Sequence, residues 1–156
     1  MTGESERLLG DEALGDALFR LCRAVEPRRT IRGWATVELD RAEVEVAADL
    51  AVLGVPRVEA APDEHALGAR CRLLSFEAGT EVLLLEPSTE GRLAAALARY
   101  GEGHLALYLL TDSEAPGRAR RAGFTLTAES GGPFGPERLV LAAPRHGPFL
   151  VLAGLD

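Results

Sequence analysis

The sequence predicts an α+β fold in which two tandem βαβββ units form paired curved sheets around one trough, with a helical extension ahead of them. Residues 103–110 (GHLALYLL) alternate leucines with other side chains, and this period of two is typical of a strand. Residues 33–39 look like a second copy of this strand, with Trp34 standing where His104 stands. A similar order of helix and strands follows both segments, which indicates a repeat.

The spacing of landmarks supports the repeat. Gly103 lies 70 residues after Gly33, Gly123 lies 69 after Gly54, Glu137 lies 67 after Arg70, and Gly147 lies 67 after Thr80. A nearly constant offset across several elements is stronger support for an internal repeat than any single identity.

The helical extension is predicted at residues 1–29. Apolar residues recur there at helical spacing from Leu8 to Val25, which indicates one or two helices interrupted near Gly10. Pro27 ends the pattern, because proline cannot continue a helix. We expect this extension to pack on the outside of the repeat.

Unit one is predicted at residues 30–87. Its strands are predicted at residues 30–39, 55–60, 70–76 and 80–86. After the first strand, Asp40 is predicted to cap a helix that stops near Gly54. A loop with Pro62, Asp63 and Gly68 follows the second strand, and a tight turn at 77–79 joins the last two.

The rest of the domain is predicted to contain a linking segment and unit two. The linking segment, residues 88–102, is predicted to carry a helix at 90–100, and unit two spans residues 103–156. Pro116 suits the first turn of a helix at 113–122. The strands of unit two are predicted at residues 103–110, 124–128, 137–143 and 148–153, with a loop at 131–133 and a turn at 145–147.

Composition excludes several classes of function. The net charge of −7 disfavours nucleic acid, whose binding depends on cations that neutralise phosphates. No apolar run approaches the length of about 20 residues that a membrane helix needs. The chain contains no Lys, Asn or Gln, so lysine Schiff bases and P-loop lysines are impossible.

The location and the cysteines are also predicted from the sequence. The acidic N-terminal stretch lacks the basic start and apolar centre of a signal peptide, so we expect a cytoplasmic protein. Cys22 and Cys71 have no CxxC spacing and are predicted to be free thiols.

Two βαβββ units joined by a helical link resemble the vicinal oxygen chelate superfamily, which includes glyoxalase I, methylmalonyl-CoA epimerase, extradiol dioxygenases and bleomycin-resistance proteins. The residues that carry the resemblance are GHLALYLL at 103–110, VLLLEP at 82–87, RRAGF at 120–124 and LVLAAPRHGPFLVL at 139–152. The resemblance implies a single glyoxalase-like domain at residues 30–156, in which two curled sheets enclose one small-molecule site. It also implies a homodimer.

The metal positions of this superfamily fall on residues that are poor ligands. Enzymatic members usually carry His or Glu in the first and last strands of each unit, and the matching positions here are Trp34, Leu83, His104 and Leu150. Only His104 could bind a metal, and catalytic metal sites generally take three or more protein ligands. The resemblance therefore implies no metal and no cofactor, with Glu38, Glu81 and His104 as an alternative, improvised site.

The predicted function is metal-free binding of a small, partly aromatic molecule, for sequestration, resistance or a role in a pathway. Trp34 would provide stacking area, and His104, Tyr108, Glu38 and Glu81 would provide polar contacts. One alternative is an isomerase, cyclase or lyase that needs no cofactor and uses His104 as general base beside Glu81 or Glu38. Another alternative is a structural or partner-binding domain.

Overall fold

The computed structural model describes residues 12–141 and 148–155. Its helices are α1 (Glu12–Val25), α2 (Leu39–Asp49), α3 (Arg92–Tyr100) and α4 (Ala115–Arg121), with a 3₁₀ turn at Ala51–Leu53. Its strands are β1 (Arg29–Ala35), β2 (Arg57–Glu64), β3 (Ala69–Ser75), β4 (Glu81–Pro87), β5 (Gly103–Leu110), β6 (Ser130–Gly132), β7 (Gly135–Leu139) and β8 (Phe149–Ala153).

The eight described strands form one mixed sheet in the order β2-β3-β4-β1-β5-β8-β7-β6. Each unit contributes four adjacent strands, and the units meet where β1 pairs antiparallel with β5. Within each unit, the first strand pairs parallel with the last, β1 with β4 and β5 with β8. The structure thus shows the two βαβββ units that the sequence predicts.

The sheet curls until its two edge strands approach each other. The backbone N–H of His65, just after β2, donates to the carbonyl of Gly131 in β6 over 3.2 Å. We call this contact between the units the seam.

The inner face of the curled sheet is filled by side chains. Ile31, Leu83, Tyr108 and Val151 lie there in one buried cluster, and each is at most 1% exposed. Helix α3 adds Leu93 and Leu97 to the same cluster. The expected trough is therefore occupied by the hydrophobic core.

The other helices cover the outer face. Helix α2 packs against β3 and β4 through a cluster that includes Val46 and Leu84. Helices α1 and α4 pack against unit two, and the guanidinium of Arg118 donates to the carbonyls of Ala24 and Val25 at the end of α1. Because these carbonyls have no partner within the helix, Arg118 both caps and anchors α1.

Several local predictions were wrong. Asp40 lies in the first turn of α2 and not at its cap, and the Leu39 N–H instead donates to Glu86 Oε2 over 2.9 Å. Residues 124–128 form only an isolated bridge between Leu126 and Val140, whereas the predicted glycine loop at 131–133 forms most of β6. Strand β2 extends through the predicted loop at Pro62 and Asp63.

Some predicted features lie outside the described residues, namely the part of the extension before Glu12 and the turn at 145–147. Cys22 and Cys71 are both free. No helix in the described part of the chain is long and apolar enough to cross a membrane.

Candidate functional site

An open cavity of about 330 Å³ lies between the starts of β1 and β4 and the end of α2. We call it the His104 groove. Its polar lining consists of Arg29, Thr30, Arg32, Thr80, Glu81 and His104. Alternation places Thr30 and Arg32 on one side of β1, so both side chains belong to the face that α2 partly covers.

His104 is held by an irregular part of the central ladder. Gly33 pairs with Ala106, whereas Trp34 pairs with His104, so the register shifts at this point and β5 carries one extra residue. The rings of Trp34 and His104 meet edge to face, with centroids 4.9 Å apart and planes at 88°. The structure thus brings together two of the residues that the sequence singles out.

Both of these rings carry a buried nitrogen without a partner. Trp34 Nε1 and His104 Nδ1 form no hydrogen bond within the described residues. Such atoms are costly to leave unpaired, since each loses its hydrogen bond to water. Burial, and secondarily the charge of Arg32, lowers the pKa of His104 below its ordinary value, which favours the neutral imidazole.

The charges of the groove favour an anion. Arg29 pairs with Glu81, so these two charges largely cancel. Arg32 is exposed and has no ion-pair partner among the described residues. The groove therefore has one uncompensated positive charge in a protein whose net charge is −7.

A second polar cluster is buried on the inner face, beside the seam. Glu64 and Glu137 are both fully buried, and Tyr108 Oη donates to Glu64 Oε1 over 2.5 Å. Burial, followed by a carboxyl–carboxyl hydrogen bond with Glu64 and the charge of Glu64, raises the pKa of Glu137 to about 10. Burial also raises the pKa of Tyr108, so its hydroxyl keeps its proton.

The five predicted ligand-binding residues do not line one site. His104 and Glu81 lie in the groove, and Trp34 contacts His104. Tyr108 is instead buried on the inner face. The side chain of Glu38 is 62% exposed at the start of α2, where its carboxylate lies near Arg41.

The four positions matched to the superfamily's metal ligands are also dispersed. Leu83 belongs to the inner cluster, Leu150 packs with α1 and α4, and Trp34 packs against the α2 cluster. With His104 as the one ligating side chain of the four, these residues do not fit a metal. No group of three or more His, Cys, Asp or Glu side chains in the described ranges could hold one, so Glu38, Glu81 and His104 do not converge either.

Sequence reasoning missed three residues of these sites. Arg32, Glu64 and Glu137 look like ordinary surface charges in the sequence. The available signal was indirect, since strand alternation places Arg32 beside Thr30, and a glycine pair precedes the strand that carries Glu137.

The two curled βαβββ units define a known class of fold. No family model and no curated protein matches this sequence. Solved structures do match, among them methylmalonyl-CoA epimerase from Mycobacterium tuberculosis, with 21% identity and a TM-score of 0.68 over 85% of this chain and 90% of that one.

Two further structures have a TM-score of 0.63. The Streptomyces coelicolor epimerase in complex with 2-nitronate-propionyl-CoA is 21% identical over 78% of this chain and 92% of its own. A hypothetical protein from Bacillus halodurans is 16% identical over 78% of this chain and 89% of its own. The chain therefore has the fold of the vicinal oxygen chelate superfamily, which confirms the predicted fold.

Proposed function

We propose that this protein binds a small, partly aromatic anion in the His104 groove without a metal, in a sequestering, resistance or pathway-binding role. The observation that carries the proposal is the unpartnered, buried Nδ1 of His104, whose side chain lines the open groove and contacts the ring of Trp34, where Nε1 is also unpartnered. A bound molecule with a hydrogen-bonding group that reaches His104 Nδ1 would satisfy an atom that the described residues leave unpaired.

The charge of the ligand follows from Arg32. Its guanidinium presents several N–H donors in one plane, a geometry that suits a carboxylate or a phosphate. Thr30 and Thr80 add hydroxyl groups that can donate to the same oxygens. The Streptomyces coelicolor epimerase, which shares the fold, binds 2-nitronate-propionyl-CoA, and this supports a small-molecule site on such a scaffold.

A second candidate is an isomerase or lyase that uses His104 as general base. Its support is the lowered pKa of His104, because a neutral imidazole can accept a proton near pH 7. Glu81 forms an ion pair with Arg29, so its carboxylate is better placed to orient the arginine than to act as a second base.

The binding experiment uses the single tryptophan as its reporter. Trp34 contacts His104, so a ligand in the groove should change its fluorescence. We would titrate EDTA-treated protein with benzoate and salicylate, and with benzamide as the neutral analogue. The proposal predicts a saturable change with the carboxylates and a much weaker one with benzamide.

Variants test the site. Arg32→Ala and His104→Ala should each weaken carboxylate binding by about 10- to 100-fold, the equivalent of one charge-assisted hydrogen bond. Arg92→Ala, which removes an exposed arginine of α3 outside the groove lining, should leave binding unchanged. Binding that survives both groove variants, or that appears only after a divalent metal is added, would contradict the proposal.

Hydrogen exchange of a bound ligand distinguishes the binding function from the isomerase or lyase function. Under the binding proposal, a bound carbonyl acid keeps its C–H hydrogens in D₂O over hours, as seen by proton NMR. Exchange of those hydrogens that is lost in His104→Ala would favour the isomerase or lyase.

We also propose a homodimer. Val52 and Val55 are 92% and 88% exposed, and they precede the exposed edge strand β2. Exposed apolar side chains close together in one surface segment are typical of an interface between chains. Light scattering with size-exclusion chromatography should give twice the chain mass of 16.6 kDa, and Val55→Glu should reduce it to the mass of a monomer.

A further inference from the structure

The buried carboxyl pair lies where the two units close on each other. Glu64 ends β2 of unit one and Glu137 lies in β7 of unit two, so the pair spans the seam. Tyr108 of unit two donates to Glu64 of unit one and crosses the same boundary. The contacts that this cluster makes between unit one and unit two therefore exist only while the seam is closed.

The hydrogen bonds of the two carboxyls are unequal. Glu64 accepts from Tyr108 Oη over 2.5 Å and from the Ala66 N–H over 3.1 Å, whereas Glu137 has no donor among the described residues other than the neighbouring Glu64 carboxyl itself. Two donors suit an ionised Glu64. Because a buried carboxylate without donors is strongly disfavoured, the proton resides on Glu137.

Water has little access to Glu137 in the closed state. A Cβ atom added at Gly132 would lie 1.8 Å from Glu137 Oε1, so the backbone of β6 lies directly against the carboxyl. Hydration of this group requires β6 to move away from β7 or from the end of β2.

No cation compensates the pair in the described part of the chain. Nη1 of the neighbouring Arg138 instead donates a hydrogen bond to the Thr127 carbonyl, near the end of β7. The other titratable groups near the cluster are the buried Cys71 and Tyr108, and the exposed Asp63 and His65 on either side of Glu64 in the chain. Two carboxylates with only these neighbours cannot both be ionised while the seam is closed.

We propose that opening of the seam releases one proton, so that the open population rises about tenfold with each pH unit through neutral pH. In the open state Glu137 is hydrated and loses its proton at its ordinary pKa of 4.5, whereas in the closed state its pKa is about 10. Between these two pKa values the closed state therefore binds one proton more than the open state. The free-energy difference that favours the closed state falls as pH rises from roughly 5 to 10. The seam is then a pH-sensitive contact between the two units.

Hydrogen exchange of the His65 amide tests this proposal, because that N–H makes the seam hydrogen bond. Its opening constant would be measured by NMR at pH 6, 7 and 8, after correction for the intrinsic exchange rate, with amides of β1 as the reference for global unfolding. We expect a tenfold rise per pH unit and an opening constant well above that of β1. In Glu137→Gln the rise should vanish, whereas Glu129→Gln, a change at an exposed carboxyl, should retain it.

Three results would overturn the proposal: an opening constant independent of pH, a rise that persists in Glu137→Gln, or exchange of His65 only by global unfolding. If Glu137→Gln does not fold, the carboxyl carbon of Glu137 can be titrated by NMR in the unmodified protein. A signal that is constant between pH 5 and 8 supports the proposal, and a midpoint near 4.5 contradicts it.

Discussion

Replacing Gly33 by alanine should force apart the two strands at which the units meet. A Cβ at this position would lie 2.8 Å from Ala106 Cβ and 2.9 Å from Leu85 Cδ1. The leucine methyl can rotate away, but the alanine Cβ is fixed to the backbone of β5 and moves only if β5 moves. Overpacking of this kind costs about 1–3 kcal/mol, so we expect Gly33→Ala to lower the free energy of unfolding by about 2 kcal/mol.

The assay is equilibrium unfolding in urea, followed by far-UV circular dichroism. Gly15→Ala is the matched control, because a Cβ there meets nothing within 4 Å in α1, and alanine should stabilise the helix by up to about 1 kcal/mol. The Ala106→Gly change should recover most of the loss in the double variant, which amounts to a coupling energy of about 1–2 kcal/mol. A Gly33→Ala protein as stable as the wild type, or an equal loss with either residue at 106, would show that contact with Ala106 does not limit the size of residue 33.

Three further changes should alter stability in predictable directions. Tyr108→Phe removes a hydrogen bond to the buried Glu64 carboxylate and should cost about 2 kcal/mol in urea unfolding. Glu102 has its pKa lowered to about 2, chiefly by its hydrogen bonds with Arg41, so it stabilises the fold above pH 4.5 and loses this effect as pH falls through 2. Glu102→Gln should flatten that acid dependence. Arg118→Ala uncaps α1 and should lower the thermal midpoint by several degrees.

The Arg118 and Glu102 changes each have a control variant, and the Tyr108 change has a threshold. Arg121→Ala, which removes an exposed arginine of α4, should leave the thermal midpoint nearly unchanged. Glu129→Gln should leave the acid dependence as steep as in the wild type. A Tyr108→Phe protein within 0.5 kcal/mol of the wild type, roughly the scale of a neutral surface change, would show that the hydroxyl contributes little.

The repeat could be predicted because it depends on patterns that the sequence displays directly. The alternation of Leu105, Leu107 and Leu109 marks β5, and the near-constant offset between matching landmarks marks the second unit. Strand β6 could not be predicted in this way, because Ser130–Gly132 has no apolar period and forms a strand only by pairing with β7.

The candidate site could be predicted only in part. The repeat makes Trp34 and His104 equivalent positions in two copies of a strand, but it does not give the register in which β1 and β5 pair. In the structure Gly33 pairs with Ala106, and a bulge in β5 then places His104 opposite Trp34. A single extra residue changes which side chains share a face, and no local pattern reports it. Glu64 and Glu137 were missed for a related reason, since only the closure of the sheet buries them.

The pairing of β1 with β5 also sets a condition on synthesis of the chain. All four strands of unit one are present once Pro87 has left the ribosome, but the edge of β1 that pairs with β5 has no partner until residues 103–110 follow. During that interval a nascent chain presents an open strand edge, to which β1 or β5 of another chain could add. A fragment ending at Pro87 should therefore self-associate, and slow translation of the α3 region should favour strand-exchanged dimers.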